Sequence, residues 1–152
     1  MEIKEFKSLL KKGRSILAFD YGEKRLGVAV SDLLLMTANP VKIIHRTTFA
    51  KDIEQIKQII EDREVGAIVY GLPLQMDGRE GKTVEMVKDF ASKLSGEINL
   101  PYIFWDERLS SRAVENFLIK EADMSRAKRK ETLDASVASY ILQGVLDSLR
   151  YV

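Results

Sequence analysis

The sequence predicts an α/β fold in which helices flank a five-stranded mixed sheet. Three short apolar runs lie close together in the first third of the chain, as in an antiparallel meander. Beyond them, apolar runs alternate with segments of helical periodicity, as in parallel crossover units. No internal repeat or Gly/Ser-rich linker divides the 152 residues. We therefore expect a single domain spanning residues 1–152.

The first third of the chain contains a predicted helix and the three strands of the meander. Residues 2–12 carry apolar side chains at helical spacing, with Gly13 as the expected stop, so residues 1–15 form an extra N-terminal helix. The strands are predicted at Ile16–Phe19, Leu26–Ser31 and Val41–His45. The first two must be antiparallel because only a short turn, Tyr21–Arg25 with Gly22, connects them.

The rest of the chain alternates between helices and strands. The predicted elements are a helix at Phe49–Arg63, a strand at Ala67–Tyr70, a loop at Gly71–Gly81, a helix at Thr83–Leu94, a strand at Tyr102–Trp105, a helix at Ser110–Lys120, an irregular polar segment at Glu121–Arg129 and a helix at Lys130–Leu149. Thr48 is the expected N-cap of the first of these helices. Because crossover connections are right-handed, the fourth strand is expected beside the first and parallel to it.

Composition narrows the classes of function. The net charge of +1 does not by itself call for a nucleic acid or a membrane, so a nucleic acid would have to bind a local patch. The absence of cysteine excludes disulfides and thiolate metal sites. The charged N-terminus has no signal-peptide core, and no apolar stretch reaches the ~20 residues that span a bilayer. We therefore expect a cytoplasmic protein without a membrane partner.

Four acidic residues interrupt apolar surroundings. Asp20 ends the first strand, Asp106 and Glu107 end the last strand, and Asp134 lies in the final helix. The first and last strands run in the same direction, so their carboxyl ends lie together, where Asp134 could join them. Clustered carboxylates repel one another unless a cation neutralises them, and oxygen ligands suit Mg²⁺ or Mn²⁺. A turn, a helix start and an exposed helix rim are the structural alternatives for these acids.

Basic residues accompany the acidic ones. Lys24 and Arg25 lie beside Asp20 and could contact phosphates, although basic turn residues are usually only solvated. A basic run surrounds the irregular segment and consists of Lys120, Arg126, Lys128, Arg129 and Lys130. This run is a candidate contact for the phosphate backbone of a nucleic acid, or else an ordinary solvated surface.

The segment "GLPLQMDGREG" is richer in glycine than a plain loop requires. Gly71, Pro73 and Gly78 could let a phosphate approach the backbone at the start of the following helix. An ordinary strand-to-helix connection is the alternative. His45, the only histidine, is expected at the surface, and Trp105 is expected in the core.

Four segments together resemble the YqgF/RuvX family. In order and spacing they are "FDYGEKRLGVAVSD", "GLPLQMDGREG", "WDERLSSRAVE" and "LDASVASYILQ". The resemblance extends from about Ile16 to Gln143. Members of this family are described as Holliday junction resolvases and as nucleases that mature the 5′ end of bacterial pre-16S rRNA.

The resemblance implies an RNase H-like fold with the sheet order 3-2-1-4-5 and divalent-metal-dependent hydrolysis of phosphodiester bonds. Carried over onto this chain, the family's acidic residues are Asp20, Glu107 and Asp134. Strand alternation lets only one of Asp106 and Glu107 reach the Mg²⁺ or Mn²⁺, and the family pattern favours Glu107. Arg108 completes the same motif as a nucleic-acid contact. The fourth strand ends in "VYGLPL" and has no counterpart of the acid that RuvC resolvases carry there.

We therefore expect a metal-dependent endonuclease that processes the 5′ end of pre-16S rRNA. Its expected partner is structured RNA in a ribosome precursor rather than four-way DNA, and its expected assembly is a monomer or homodimer. The alternatives are a Holliday junction resolvase and a non-catalytic nucleic-acid-binding factor on the same fold. A phosphate-binding ATPase-like module ranks last, because such proteins need a second lobe and the sequence has no internal repeat.

Overall fold

A computed structural model describes residues 1–74, 81–107 and 126–152, and of residues 126–136 only the backbone. Its helices are α1 (Ile3–Leu9), α2 (Phe49–Asp62), α3 (Lys82–Ser95) and α4 (Arg126–Leu149). Its strands are β1 (Ser15–Asp20), β2 (Arg25–Ser31), β3 (Ala38–His45), β4 (Val65–Leu72) and β5 (Tyr102–Asp106). Helices α2 and α3 cover one face of the sheet, and α1 and α4 cover the other.

The strands form one mixed sheet in the order β3-β2-β1-β4-β5. Strand β2 is antiparallel to both β1 and β3, whereas β4 pairs in parallel with β1 and with β5. This confirms the meander, the place of the fourth strand beside the first, and the order 3-2-1-4-5. The carboxyl ends of β1, β4 and β5 therefore meet at one end of the sheet, called here the carboxyl end. The opposite end is where β1 begins and β2 ends.

The side chains of β1 alternate between two hydrophobic cores. Leu17 and Phe19 pack with α2 and α3, whereas Ile16 and Ala18 pack with α1 and α4. Burial on both faces explains why the central strands are apolar throughout. By the same alternation, the next residue, Asp20, lies on the face covered by α4.

Helix α1 is shorter than predicted. It ends at Leu9, because Leu10 adopts extended backbone and packs against the α4 core. Gly13 is therefore not the helix stop; it has φ of 78° in the link to β1. Phe6 is fully buried in the α4 core, so the extra N-terminal helix packs onto the domain.

Strand β3 was predicted to begin after Pro40, and this was wrong because it begins at Ala38 and includes the proline. Two features explain why the strand accepts Pro40. β3 lies at the edge of the sheet, and Pro40 pairs with Ala29 where the register between β2 and β3 shifts. The missing N–H of proline is tolerated at such positions.

The prediction that Glu121–Arg129 is irregular is wrong from Arg126 onward, because α4 begins at that residue. Its first turns are rich in Ala, Lys and Arg, which are strong helix formers. The predicted helix Ser110–Lys120 lies outside the described residues.

The predicted N-cap of α2 is confirmed, since the Thr48 hydroxyl accepts the N–H of Lys51 at 3.3 Å. Within the described ranges, no helix combines the length and apolarity needed to cross a membrane.

Candidate active site

Two carboxyl groups meet at the carboxyl end of the sheet. Asp20 is the last residue of β1, and Glu107 directly follows β5. Ile103 faces the α4 core, so the alternation along β5 puts Glu107 on that face and Asp106 on the other. A side-chain hydrogen bond joins Glu107 to Asp20. The acid that meets Asp20 is thus Glu107, the member of the pair that the sequence favoured.

The environment of Glu107 disfavours its negative charge. Burial raises the pKa of the Glu107 carboxyl above its usual value, the hydrogen bond with Asp20 lowers it, and the nearby charge of Asp106 raises it again. Two carboxyls in direct contact cannot both stay ionised without a counter-charge, so they share either a proton or a cation.

Gly71 makes room for this pair. It was predicted as the first residue of a loop, but it lies inside β4 and is buried. A Cβ atom at this position would lie 2.6 Å from Glu107 Oε1 and 2.6 Å from Ile141 Cδ1. Such a separation is well below van der Waals contact, so any side chain here would displace the Glu107 carboxyl or α4. The glycine serves the carboxyl of a neighbouring strand, which the sequence did not indicate.

The third predicted acid, Asp134, lies in α4, and its side chain is outside the described part of the structure. It precedes Ile141 by two turns of the helix, a rise of about 10 Å. Among the described side chains, no group of three acidic or histidine residues is arranged to hold a metal ion. At the carboxyl end, the described acids known to be in contact are Asp20 and Glu107.

The predicted nucleic-acid contacts are described only in part. Lys24 is exposed in the turn after β1, and Arg25 is half-buried at the start of β2. Pro73 is half-buried just beyond β4, whereas Gly78 and Arg108 lie outside the described residues. The backbones of Arg126, Lys128, Arg129 and Lys130 form the first turns of α4, and their side chains are outside the described part.

Arg46 fixes the turn that follows Asp20, a role that the sequence did not reveal. Its backbone N–H donates to the Lys24 carbonyl at 2.8 Å, and its guanidinium donates to the Gly22 carbonyl at 3.1 Å. The guanidinium also lies 4.9 Å from the ring centre of Tyr21 and 5.2 Å from that of Phe90. These contacts hold the turn against the α3 face of the sheet.

Asp52 fixes the position of the Arg46 side chain. Its carboxylate is 1% exposed, accepts the Thr47 N–H at 3.1 Å and lies 3.5 Å from the Arg46 guanidinium. An acid in the first turn of a helix is ordinary in a sequence, and nothing in the spacing of Arg46 and Asp52 signalled that they pair. The pair thus links the N-terminus of α2 to the turn beside Asp20.

Other candidates fall outside the site. His45 is exposed at the end of β3, as predicted, and Trp105 packs against the α4 core beside Gly144, as predicted. Asp32 lies at the opposite end of the sheet. Its carboxylate accepts the backbone N–H groups of Met36 and Thr37 at 2.7 and 3.1 Å, so it serves a turn.

Solved structures with a similar fold include a complex with a Holliday junction and a Holliday junction resolvase. The Thermus thermophilus RuvC protein in complex with a Holliday junction superposes with a TM-score of 0.55 and 11% identity, covering 89% of this chain and 94% of that one. The yeast mitochondrial Holliday junction resolvase Ydc2 superposes with a TM-score of 0.53 and 12% identity, covering 98% of this chain and 86% of that one. These likenesses show that the fold is the RNase H-like fold of the RuvC resolvases.

Curated relatives are similar over nearly the whole chain. A protein of Brucella ovis, provisionally named pre-16S rRNA nuclease, is 44% identical over 148 residues, covering 97% of this chain and 91% of the relative. A Rhodospirillum rubrum protein with the same provisional name is 42% identical over 147 residues, with the same two shares. The family model described as RuvX, Holliday junction resolvase, matches residues 14–148. The chain therefore belongs to the RuvX family, a family of nucleases that hydrolyse phosphodiester bonds.

Proposed function

We propose that this protein is a divalent-metal-dependent endonuclease whose catalytic groups are Asp20, Glu107 and Asp134. The observation that carries the proposal is the contact between the Asp20 and Glu107 carboxyls at the carboxyl end of the sheet. A half-buried pair of acids in contact is costly unless a proton or a counter-charge balances it. Its presence at the end of a strand in a nuclease fold is therefore best explained by a cationic ligand.

The residues fit a hard divalent cation. Asp20 and Glu107 offer only oxygen donors, which suit Mg²⁺ or Mn²⁺ better than softer metals. Burial raises the pKa of the Glu107 carboxyl, so a bound cation would favour its ionised form. Asp134 belongs to α4, the helix whose Ile141 side chain lies at Gly71 beside the pair. Its carboxylate would complete the donor set.

The chain's own groups then have distinct tasks. When bound, the cation supplies a Lewis acid that polarises the phosphoryl oxygen and lowers the pKa of water. Asp20 is held at a fixed position because β1 is buried on both faces and paired on both sides. Because Gly71 has no side chain, the Glu107 carboxyl can lie against it, and Arg46 holds the turn after Asp20 in place. Lys24 is exposed on that turn, where its charge would meet the phosphate backbone.

The proposed substrate is structured RNA, at the 5′ end of pre-16S rRNA in a ribosome precursor in the cytoplasm. The provisional names of the curated relatives support this choice. The family description supports a second candidate, resolution of four-way DNA junctions. The two candidates share one active site and differ in the nucleic acid that fits around it.

A cleavage assay tests the proposal. The purified chain is incubated with a pre-16S rRNA 5′ leader and with a four-way DNA junction, in Mg²⁺, in Mn²⁺ and in EDTA. Wild type is expected to cut the RNA leader with either metal and not in EDTA. Asp20→Asn and Glu107→Gln are expected to lose this activity, whereas Asp32→Asn, a strand-end aspartate at the other end of the sheet, is expected to keep it.

Other results would redirect or refute the proposal. Cleavage of the junction alone would establish the resolvase. Equal cutting by wild type and Asp20→Asn would show that the site is wrong. If wild type cuts neither nucleic acid, while Asp20→Asn still replaces it in a ribosome-maturation assay in cells, the protein is a non-catalytic binding factor.

A further inference from the structure

Exposed apolar side chains in the described part of the chain collect at the opposite end of the sheet from Asp20. The large exposed ones are Met1, Leu9, Leu33, Leu34, Met36, Tyr151 and Val152. They belong to three segments, residues 1–9, 33–36 and 151–152, which hydrogen bonds tie together. The Lys7 ammonium donates to the Val152 carbonyl, and the Arg150 guanidinium donates to the Met36 carbonyl at 3.1 Å. Exposed apolar side chains in neighbouring segments point to an interaction site.

A groove of about 450 Å³ runs through this surface between the end of α1 and the turn after β2. We call it the basic groove, because its lining combines four cations, Lys7, Lys11, Lys12 and Arg14, with Leu33–Leu35. Salt bridges between described residues involve none of Lys11, Lys12 and Arg14. Their charges are therefore available to a partner, next to uncovered hydrocarbon.

The turn that carries the leucines is held rigidly. Leu35 has φ of 58°, a left-handed conformation that costs a bulky residue about 1 kcal/mol or more. The Asp32 carboxylate keeps the turn closed by accepting the N–H groups of Met36 and Thr37. Leu34 is 81% exposed on this fixed turn. A strained turn that presents a leucine to solvent is poorly explained by the stability of the fold alone.

We propose that the basic groove and Leu34 dock an acidic, amphipathic segment of a partner protein. The leucines would receive apolar anchor residues, and Lys11, Lys12 and Arg14 would pair with carboxylates on the same segment. Complementary charge would guide the encounter, and desolvation of the leucines would slow dissociation. This inference does not depend on the proposed nuclease activity.

Two other occupants match the surface less well. In a two-fold symmetric contact between copies, the basic groove of one chain would face the basic groove of the other, and like charges would repel. A single-stranded nucleic acid would find cations for its phosphates, but the described lining of the groove has no aromatic side chain for base stacking. An acidic protein segment uses both the charges and the leucines.

The basic groove lies far enough from Asp20 for a partner and a substrate to bind at the same time. Five residue steps along β1 separate Ser15 from Asp20, a distance of roughly 16 Å at the usual rise of a strand. A partner docked at the basic groove therefore leaves the carboxyl end of the sheet open to a large substrate. A partner bound at the basic groove would thus recruit this protein without obstructing the Asp20–Glu107 pair.

Peptide selection against the full chain tests the inference. A random 16-residue peptide library is displayed and selected on wild type, with counter-selection on Leu33→Ser/Leu34→Ser. Selected peptides are expected to combine Asp and Glu with apolar residues at helical spacing. In fluorescence anisotropy, both Leu33→Ser/Leu34→Ser and Lys11→Gln/Lys12→Gln should weaken the best peptide by about tenfold or more.

The control variant is Lys42→Gln/Lys57→Gln, which removes two exposed cations far from the groove and should bind the peptide as wild type does. Unchanged thermal unfolding of every variant shows that the fold is kept. Selection of neutral or basic peptides, or equal binding by the groove and control variants, overturns the proposal. A dimer in sedimentation that Leu34→Glu dissociates would assign the surface to a second copy. RNA affinity lost only with Lys11→Gln/Lys12→Gln would assign it to nucleic acid.

Discussion

The two ends of the sheet each place an aspartate where a strand stops, yet the two aspartates do different things. Asp32 directs its carboxylate to the backbone N–H groups of its own turn, which lowers its pKa below the usual value, chiefly through Thr37. Asp20 instead meets the carboxyl of Glu107, which lies 87 residues later in the chain and directly follows β5. The Asp32 carboxylate thus closes its own turn, whereas Asp20 and Glu107 are the pair to which we assign a cation.

The largest expected effect is at the carboxyl end. Asp20→Asn removes a charge that the proposed cation requires, and we expect kcat to fall by more than about 100-fold, beyond the loss typical of groups that only support a ligand. The matched change at the opposite end, Asp32→Asn, should leave kcat unchanged. The measurement is single-turnover cleavage of the RNA leader in Mn²⁺. A comparable loss in both variants would contradict the distinction between the two ends.

The next expected effect comes from Gly71→Ala. The new methyl would lie 2.6 Å from both Glu107 Oε1 and Ile141 Cδ1, so the carboxyl or α4 must move. Overpacking of this kind costs about 1–3 kcal/mol, and displacement of Glu107 should reduce kcat by at least about tenfold. Urea denaturation and the cleavage assay measure the two quantities.

Gly96→Ala is the control for that change. A methyl there would approach only the Lys93 carbonyl, at 3.4 Å, with Gly96 in helical backbone. The variant should be as stable as wild type or slightly more so, because alanine restricts the unfolded chain. Full activity in Gly71→Ala would show that the Glu107 carboxyl is not needed where it lies.

A smaller loss of stability is expected from Asp52→Asn. The change removes the charge that faces Arg46 while keeping the shape of the side chain, so we expect a loss of about 1–2 kcal/mol. The turn that Arg46 holds should loosen as well, which hydrogen exchange at the amides of residues 21–25 would reveal. Unchanged exchange in that turn would show that Arg46 holds it without help from Asp52.

The smallest effect concerns pH and Asp32. The folded pKa of Asp32 is lowered, so its stabilisation is present above the unfolded pKa and is lost as pH falls through the folded pKa. Because the group is accessible to water, Asp32→Asn should lower the free energy of unfolding at pH 7 by only about 0.5 kcal/mol. The difference from wild type should shrink below about pH 4, as urea denaturation at several pH values would show. A difference that grows at low pH would contradict this assignment.

The sequence predicted the sheet because hydrophobic alternation and connection length decide most of it. The buried run Ile16–Phe19 and the short turn at Gly22 left only an antiparallel hairpin, a result of local geometry that the chain carries in its own spacing. Strand alternation limited the site to one of Asp106 and Glu107, and the family resemblance favoured Glu107.

What the sequence did not predict depends on contacts between distant segments. Gly71 resembled a loop residue, because the carboxyl that occupies its missing side-chain space belongs to Glu107, beyond the end of β5. Arg46 pairs with Asp52 and also binds the turn after Asp20, although neither residue belongs to that turn. The strand through Pro40 was missed because only the sheet order reveals that β3 is an edge. Such features follow from the assembled sheet and leave no local pattern.

Pro40 also bears on how the chain avoids aggregation while it folds. The β1–β2–β3 meander joins neighbouring segments of the chain and can form early, whereas β4 and β5 must arrive from farther away. During that interval an exposed edge could pair with the edge of another molecule. Pro40 offers no N–H at the middle of β3, and the exposed Lys42 adds a charge beside it. The outer edge of the meander is therefore a poor template for intermolecular strand pairing.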